Sequence, residues 1–213
     1  MLENPSPSES KLNAAMISAA KRDLLAKYLR GEIDHDLSST IQRRGPDASL
    51  RLSFAQERLW FLDHLMPGSP VFNVPTAVRI SRPLDLDVLQ LCVNEIVRRH
   101  EVLRTTFVTL DGEPTPAINS QADVKIGVID LTRLDETSRE SESLRLTKEA
   151  ALRSFDLSRG PLIRTNLIKL TESESIFLLT MHHIVSDGGS ILIFFRELSA
   201  LYAIASWLTG KKS

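Results

Sequence analysis

The residues of this 213-residue chain that could carry chemistry lie in one short stretch, Met181 to Ser190, which reads MHHIVSDGGS. Two histidines, His182 and His183, end a run of apolar residues, and Asp187 follows four positions later. An imidazole titrates near neutral pH, so it can accept a proton in one step and return it in the next. Because neighbouring residues of an extended strand point to opposite faces, we expect only one of the two histidines to meet a substrate.

The rest of the stretch offers supporting groups. Asp187 is expected to orient the backbone or an arginine around the turn. Gly188 and Gly189 permit close approach of a ligand or unusual backbone angles. Ser190 is expected either to cap the helix that follows or to donate a hydrogen bond to a developing oxyanion.

Residue types alone allow three other interpretations of the histidines. Paired histidines after a strand are common as packed or surface residues, and their spacing does not exclude this. A metal site is disfavoured because adjacent strand residues diverge, whereas ligands must converge. A serine hydrolase is weakly supported, since the chain has no G-x-S-x-G elbow.

The elements around the stretch predict where these side chains lie. Residues 175–181 lack polar alternation, which indicates a strand buried on both faces. An amphipathic helix is predicted from Ser190 onward, with Ile191, Phe194 and Leu198 among its apolar residues. The polar turn between them therefore emerges at the carboxyl edge of a strand, where open α/β sheets tend to bind ligands.

The remaining pattern alternates between helix and strand and predicts an α/β layered domain. Pro75 favours an edge position for its strand, Asp85 or Asp87 is expected to begin the second helix, and Asp111-Gly112 predicts a hairpin turn. The predicted helices are 54–66, 85–97 and 135–155, the last with Leu144, Thr147, Ala151 and Phe155 on its inner face; the predicted strands are 71–80, 102–110, 124–129 and 161–170.

Composition excludes several classes of protein. With 26 Lys+Arg against 27 Asp+Glu and no basic block, a nucleic-acid surface is disfavoured. Uninterrupted apolar runs are far shorter than the roughly 20 residues that cross a bilayer, and the amino end shows no signal peptide, so a cytoplasmic location is expected. The single cysteine, Cys92, can form neither an internal disulfide nor a zinc cluster and is expected in the core.

Residues 1–49 are expected to lie outside the main domain, which is placed at 50–213. Residues 1–10 are rich in Pro, Ser and Glu and predict a disordered arm. A short helix is predicted near residues 21–30, ending at Gly31, and the segment to residue 49 resembles a linker. This region is a candidate docking element.

Three motifs together resemble the condensation domains of non-ribosomal peptide synthetases. The string from His182 to Gly188 matches the HHxxxDG signature, which is shared with chloramphenicol acetyltransferase and its relatives. Upstream, SFAQERLWFL at 53–62 and RHEVLRTTF at 99–107 are similar to the first and second core motifs of the same domains, in the same order. The resemblance spans about residues 50–205.

The resemblance implies a reaction and roles for the residues. Condensation domains join a donor acyl or peptidyl thioester to the amine of an acceptor aminoacyl thioester. Both substrates are carried on the phosphopantetheine arms of carrier domains, and no cofactor is bound directly. By its place in the motif, His183 would be the catalytic residue and His182 a supporting one. Asp187 would hold the loop through an arginine, and Gly188 would place its backbone beside the donor thioester.

The chain also departs from the family pattern. Gly189 stands where a bulky residue, often tryptophan, is usual, whereas the two histidines argue against the cyclising branch, which has aspartates there. A condensation domain has two similar lobes, and this sequence is expected to represent only the amino-terminal lobe, with little or no activity alone. The alternatives are an oligomeric, single-lobed acyltransferase that uses acyl-CoA, and a non-catalytic fragment that binds carrier proteins.

Overall fold

A computed structural model describes Arg30, Gly45 and residues 50–208 of the chain. Residues 50–208 belong to one compact unit. Of the features predicted for residues 1–49, the arm at 1–10 and the body of the helix near 21–30 lie outside the described residues, as does most of the linker.

The described residues form four α-helices, a short 3-10 helix and six strands. In chain order these are α1 (Phe54–Leu65), β1 (Asn73–Ile80), α2 (Leu86–Arg99), the 3-10 helix (Glu101–Arg104), β2 (Thr105–Leu110), β3 (Glu113–Ile118), β4 (Ile126–Asp130), α3 (Glu136–Leu152), β5 (Ile163–Lys169), β6 (Ser175–His182) and α4 (Gly188–Leu208).

Four of the strands form a mixed sheet in the order β1-β6-β5-β4. Strand β6 is antiparallel to both of its neighbours, and β4 runs parallel to β5. Every residue of β6 is buried, which confirms the prediction from its lack of polar alternation. Pro75 lies in the edge strand β1, as expected of a residue that cannot donate to a ladder.

One face of the sheet is covered by α2 and α4. Their buried residues, among them Val93 and Phe194, pack with Phe177 and Leu179 of β6 in the largest apolar cluster of the described chain. Asp85 caps α2 by accepting a hydrogen bond from the Val88 amide at 3.1 Å, and Cys92 is buried; both confirm predictions. Each large side chain in this cluster contributes roughly 1.5–3 kcal/mol by leaving water.

The loop after β6 belongs to a second apolar cluster. Ile184 and Val185 of that loop pack with Phe107, Phe155 and Leu162, and side chains of α1, including Trp60, close the cluster from outside. The helix α1 and the loop are thus held together by burial of apolar surface, which fixes the polar residues of the loop between them.

Hairpin β2–β3 forms a separate two-stranded sheet. Asp111 and Gly112 have φ values of 51° and 83°, the left-handed pair that a tight hairpin turn requires, so the predicted turn is confirmed. The strand predicted from Val102 begins only at Thr105. Residues 101–104 coil into the 3-10 helix instead, and the hydroxyl of Thr105 donates to the carbonyl oxygen of Glu101 at 2.8 Å.

The inner face predicted for α3 is wrong at Leu144, which is 56% exposed. Thr147 and Ala151 are half-buried, as are Leu146 and Ala150, and Ser143 is the buried residue of the helix. Ser143 tolerates burial because its hydroxyl donates to the carbonyl oxygen of Glu140 at 2.9 Å.

Helix α3 also ends earlier than predicted, at Leu152 instead of Phe155. The side-chain amide of Asn73, in β1, donates to the carbonyl oxygens of Ala151 at 2.7 Å and Arg153 at 3.0 Å. These bonds satisfy the last carbonyls of the helix and end it there. Phe155 lies beyond the end and is buried in the cluster around the loop after β6.

Helix α4 is long and apolar enough to cross a membrane by length and composition alone. The apolar runs of the sequence did not reveal this, because Arg196 and Glu197 interrupt them. One face of the helix, with Phe194, Leu198 and Tyr202, is buried against the sheet and α2, as in the core helices of globular domains.

Candidate active site

Hydrogen bonds within the turn after β6 and one bond to Phe72 hold its backbone in place. The Val185 amide donates to the carbonyl oxygen of His182 at 3.0 Å, and the His183 amide donates to that of Phe72 at 2.8 Å. The hydroxyl of Ser186 also donates to the carbonyl oxygen of His182, at 3.1 Å. With Ile184 and Val185 buried beneath it, the turn has little freedom to move.

His183 is the exposed member of the histidine pair. Its Nδ1 lies 2.6 Å from the carbonyl oxygen of Ser186. A carbonyl can only accept, so Nδ1 carries the proton of the neutral ring and Nε2 keeps its lone pair. That is the form of the imidazole that can accept a proton from a substrate.

An open cavity of about 480 Å³ lies beside His183. The loop after β6 forms one wall, and residues of α1 and its N-cap form the opposite wall. Among the described residues that line the cavity, Asp187 is the only carboxylate and none is Lys or Arg. These lining residues are Ser53, Ala55, Gln56, Leu59, Val102, His183, Ile184, Val185, Ser186, Asp187 and Ser190.

His182 points the other way, into the protein, and is 1% exposed. Its Nδ1 accepts a hydrogen bond from the Ile184 amide at 3.1 Å, and the rings of Phe72 and Phe155 approach it edge-on. Burial, helped by the nearby His183, lowers the pKa of His182 to about 4. His182 is therefore a neutral residue of the core, and the predicted divergence of the two histidines is confirmed.

Asp187, and not Ser190, caps the helix that follows the turn. Asp187 caps α4: its Oδ1 accepts hydrogen bonds from the Ser190 amide at 2.7 Å and from the Ser190 hydroxyl at 2.6 Å. These bonds lower the pKa of Asp187. Of the two predicted partners, the backbone or an arginine, the described residues show the backbone: Asp187 bonds the amide and hydroxyl of Ser190. The hydroxyl proton of Ser190 is committed to Asp187, so it is not free to serve an oxyanion.

The two glycines of the turn differ in their surroundings. A Cβ built on Gly188 would meet no atom within 4 Å, whereas one on Gly189 would lie 3.4 Å from Oδ1 of Asp187. Packing within the described chain therefore does not require glycine at 188. The open space there is compatible with a ligand approaching the backbone, which stays a prediction.

Helix α1 holds the turn from outside, a contact that sequence reasoning missed. The side chain of Gln56 donates to the carbonyl oxygen of Ile184 at 3.2 Å. Gln56 also forms a capping box with Ser53, in which each side chain bonds the other's backbone amide. The spacing of Ser53 and Gln56 is typical of a capping box. It gives no sign of the contact between Gln56 and Ile184, which lie 128 positions apart.

Three polar residues of the second motif, Arg99, Arg104 and His100, form contacts within the fold. Arg99 pairs with Glu95 at 2.7 Å, and Arg104 donates to the carbonyl oxygen of Asn119 at 2.6 Å. His100 ends α2 and lies 2.9 Å from Glu197 of α4. No group of three or more His, Cys, Asp or Glu side chains able to hold a metal ion occurs in the part of the chain that the structure describes.

The sequence matches a known protein family and proteins of that family. The family model described as Condensation domain matches residues 47–212. The chain is 50% identical over 156 residues to a linear gramicidin synthase of Brevibacillus parabrevis, covering 73% of this chain and 3% of that protein. It is 41% identical over 188 residues to the phosphinothricin tripeptide synthetase PhsC of Streptomyces viridochromogenes, covering 88% and 17%.

Solved structures of condensation domains share the fold. The starter condensation domain of rhizomide synthetase RzmA matches with a TM-score of 0.69 at 22% identity, over 78% of this chain and 41% of that one. The first condensation domain of the CDA synthetase matches with a TM-score of 0.69 at 24% identity, over 78% and 42%. The chain thus spans about two fifths of these domains, which fits one of two lobes.

Proposed function

Because this chain belongs to the condensation-domain family of the non-ribosomal peptide synthetases, we propose that it supplies the His183 side of an amide-forming site. The reaction joins a donor acyl or peptidyl thioester to the amine of an acceptor aminoacyl thioester. One observation carries this proposal: His183 is exposed beside an open cavity, and its Nδ1 is tied to the carbonyl oxygen of Ser186, so that Nε2 is available to a substrate.

The reaction transfers one proton. The acceptor amine attacks the donor carbonyl, so that the new C–N bond forms and the C–S bond breaks. The amine loses one proton, and the thiolate of the donor's carrier gains one and leaves as a thiol. Nε2 of His183 can receive the amine proton and return it to the sulfur. A free α-amine titrates near pH 8, so it needs less activation than a hydroxyl. Positioning the amine is therefore a second role that His183 can serve.

The substrates are proposed to arrive on the phosphopantetheine arms of carrier domains, the partners expected of this family. The cavity beside His183 suits such arms because it is open to solvent along one side and lined mainly by neutral side chains. In this proposal the thioester is a substrate held by another domain. The protein itself contributes the imidazole, the walls of the cavity and the rigid turn.

The chain is proposed to act together with a second lobe. It spans about two fifths of the solved domains that share its fold, and the cavity beside His183 is walled by α1 and the loop after β6. An incomplete site neither excludes water nor holds all the dipoles that stabilise a tetrahedral intermediate. We expect the chain on its own to form little or no amide.

The experiment that tests this function uses carrier domains loaded with a donor and an acceptor thioester. Amide product should appear when the chain is supplied with a carboxyl-terminal lobe of a condensation domain, covalently joined or added separately, and not without one. Transfer from acyl-CoA by a self-associated form of the chain, detected by native mass spectrometry, would support a stand-alone acyltransferase. Carrier binding with no turnover in any combination would support a docking fragment.

A further inference from the structure

One buried donor next to the site is left without a hydrogen-bond partner in the described part of the chain. It is Nε2 of His182, which is sealed from solvent. Oδ1 of Asp63 lies 4.0 Å from this nitrogen. A hydrogen bond of this kind measures about 2.7–3.2 Å, so the two atoms face each other across a gap about 1 Å too long. Burial of a donor without an acceptor is costly, and closure of the gap removes that cost.

The proton of the His182 ring is directed to this gap. Nδ1 of His182 accepts the Ile184 amide, and burial lowers the pKa of His182 to about 4, so the ring is neutral at pH 7. A neutral imidazole that accepts through Nδ1 carries its proton on Nε2. The side chain of Asp63 is 17% exposed. Burial raises its pKa and Asp156 adds to this, whereas His64 lowers it.

Asp63 has the room and the position to reach His182. It lies in the last turn of α1, seven residues after Gln56, and residues seven apart share one face of a helix. Gln56 on that face already bonds the loop after β6. The side chain of Asp63 also lines an open groove of about 490 Å³, so it can rotate without displacing the helix.

We propose that Asp63 is a positioning residue: its carboxylate accepts the Nε2–H of His182 and thereby holds the turn that presents His183. Four hydrogen bonds connect Asp63 to His183. Asp63 fixes the ring of His182, and that ring accepts a hydrogen bond from the Ile184 amide. The carbonyl oxygen of His182 accepts the Ser186 hydroxyl, and the carbonyl oxygen of Ser186 accepts Nδ1–H of His183. The catalytic consequence rests on the proposed function of His183.

The spectroscopic test needs no activity. In imidazole ¹⁵N spectra of the 213-residue chain, Nε2–H of His182 should be sharp and shifted by its acceptor. Asp63→Leu should remove that shift and broaden the signals of His183, whereas Asp63→Asn, whose amide oxygen can still accept, should keep both. Asp156→Asn is the matched control, because Asp156 faces the same groove and lacks a bond to His182. Identical His182 signals in Asp63→Leu and the wild type would overturn the proposal.

A second measurement decides the matter should Asp63→Leu fail to fold. In the wild-type chain at pH 7 the Nε2–H proton of His182 should resonate downfield and exchange slowly with solvent, as a proton donated to a carboxylate does. An Nε2–H proton with the shift of a ring that lacks an acceptor would equally overturn the proposal.

The kinetic test uses the amide-forming assay with the carboxyl-terminal lobe present. Displacement of a reacting group by about 1 Å can cost up to a hundredfold in rate, so Asp63→Leu should lower kcat by about tenfold or more while KM changes by less than about twofold. Asp63→Asn should recover most of kcat. If His183→Ala were fully active, the proposed function would fail, while the NMR result would still decide whether Asp63 positions His182.

Discussion

Nδ1 of His183 lies 2.6 Å from the carbonyl oxygen of Ser186, three residues further along the same turn. This contact fixes both the orientation of the ring and the nitrogen that carries its proton. The turn is itself held by His182. Its carbonyl oxygen accepts a hydrogen bond from the Ser186 hydroxyl, and its ring accepts one from the Ile184 amide. The first histidine of the pair therefore supports the second, which meets the cavity.

The buried ring of His182 should make stability depend on pH. Its pKa is about 4 in the folded chain and about 6.5 when unfolded. The unfolded state thus binds more protons between these values. The contribution of the neutral, buried His182 to stability should be fully present above about pH 6.5 and lost as the pH falls through the folded pKa, by up to about 3 kcal/mol. A bond from Nε2–H to the Asp63 carboxylate favours the charged ring and makes this loss smaller. Urea unfolding of wild type and His182→Phe at several pH values measures this.

The variants of His182 separate packing from titration. His182→Phe should lose the acid-dependent part of the stability change, and an equal acid dependence in both proteins would contradict the assignment. His182→Ala should reduce the free energy of unfolding by several kcal/mol, since it leaves a cavity and an unpaired Ile184 amide. Its main effect is thus expected on folding.

Gln56 should couple α1 to the turn. Gln56→Glu keeps an oxygen that can accept the Ser53 amide of the capping box but has no N–H for the carbonyl oxygen of Ile184. We expect faster amide hydrogen exchange across residues 183–187 with α1 still protected, and a loss of about 1 kcal/mol in stability. Unchanged exchange in the turn would show that the 3.2 Å contact does not hold it.

Asp187 should act mainly as a helix cap. Asp187→Asn keeps an oxygen that can accept the Ser190 amide and should have a melting temperature close to that of the wild type, whereas Asp187→Ala should melt lower because the first turn of α4 loses its acceptor. Thermal unfolding at pH 7 tests this. If the two variants melted together and well below the wild type, the charge of Asp187 would matter more than the cap, as an ion pair with an arginine would predict.

Local patterns sufficed where one physical effect dominated. The lack of polar alternation in β6 predicted burial on both faces, Pro75 predicted an edge strand, and strand geometry predicted that His182 and His183 diverge. Where two residues could both cap a helix, the sequence pattern did not show which of them does. Asp187 and Ser190 are both good caps, and Asp187 takes the role because it lies just before α4.

Contacts between distant segments could not be read from the pattern. Gln56 meets Ile184 across 128 positions, and Asn73 ends α3 by bonding its last carbonyl oxygens. On α3 the predicted Leu144 is exposed whereas Ser143 beside it is buried. These features depend on the tertiary fold, and local propensity does not encode them.

The most direct test of the account is amide formation by His183→Ala. It is measured with donor and acceptor thioesters on carrier domains and the carboxyl-terminal lobe present, beside Asp156→Asn as a control outside the cavity next to His183. We predict that His183→Ala loses amide formation by at least about a hundredfold while its unfolding curve matches the wild type. A folded His183→Ala variant that forms amide at the wild-type rate would contradict the account.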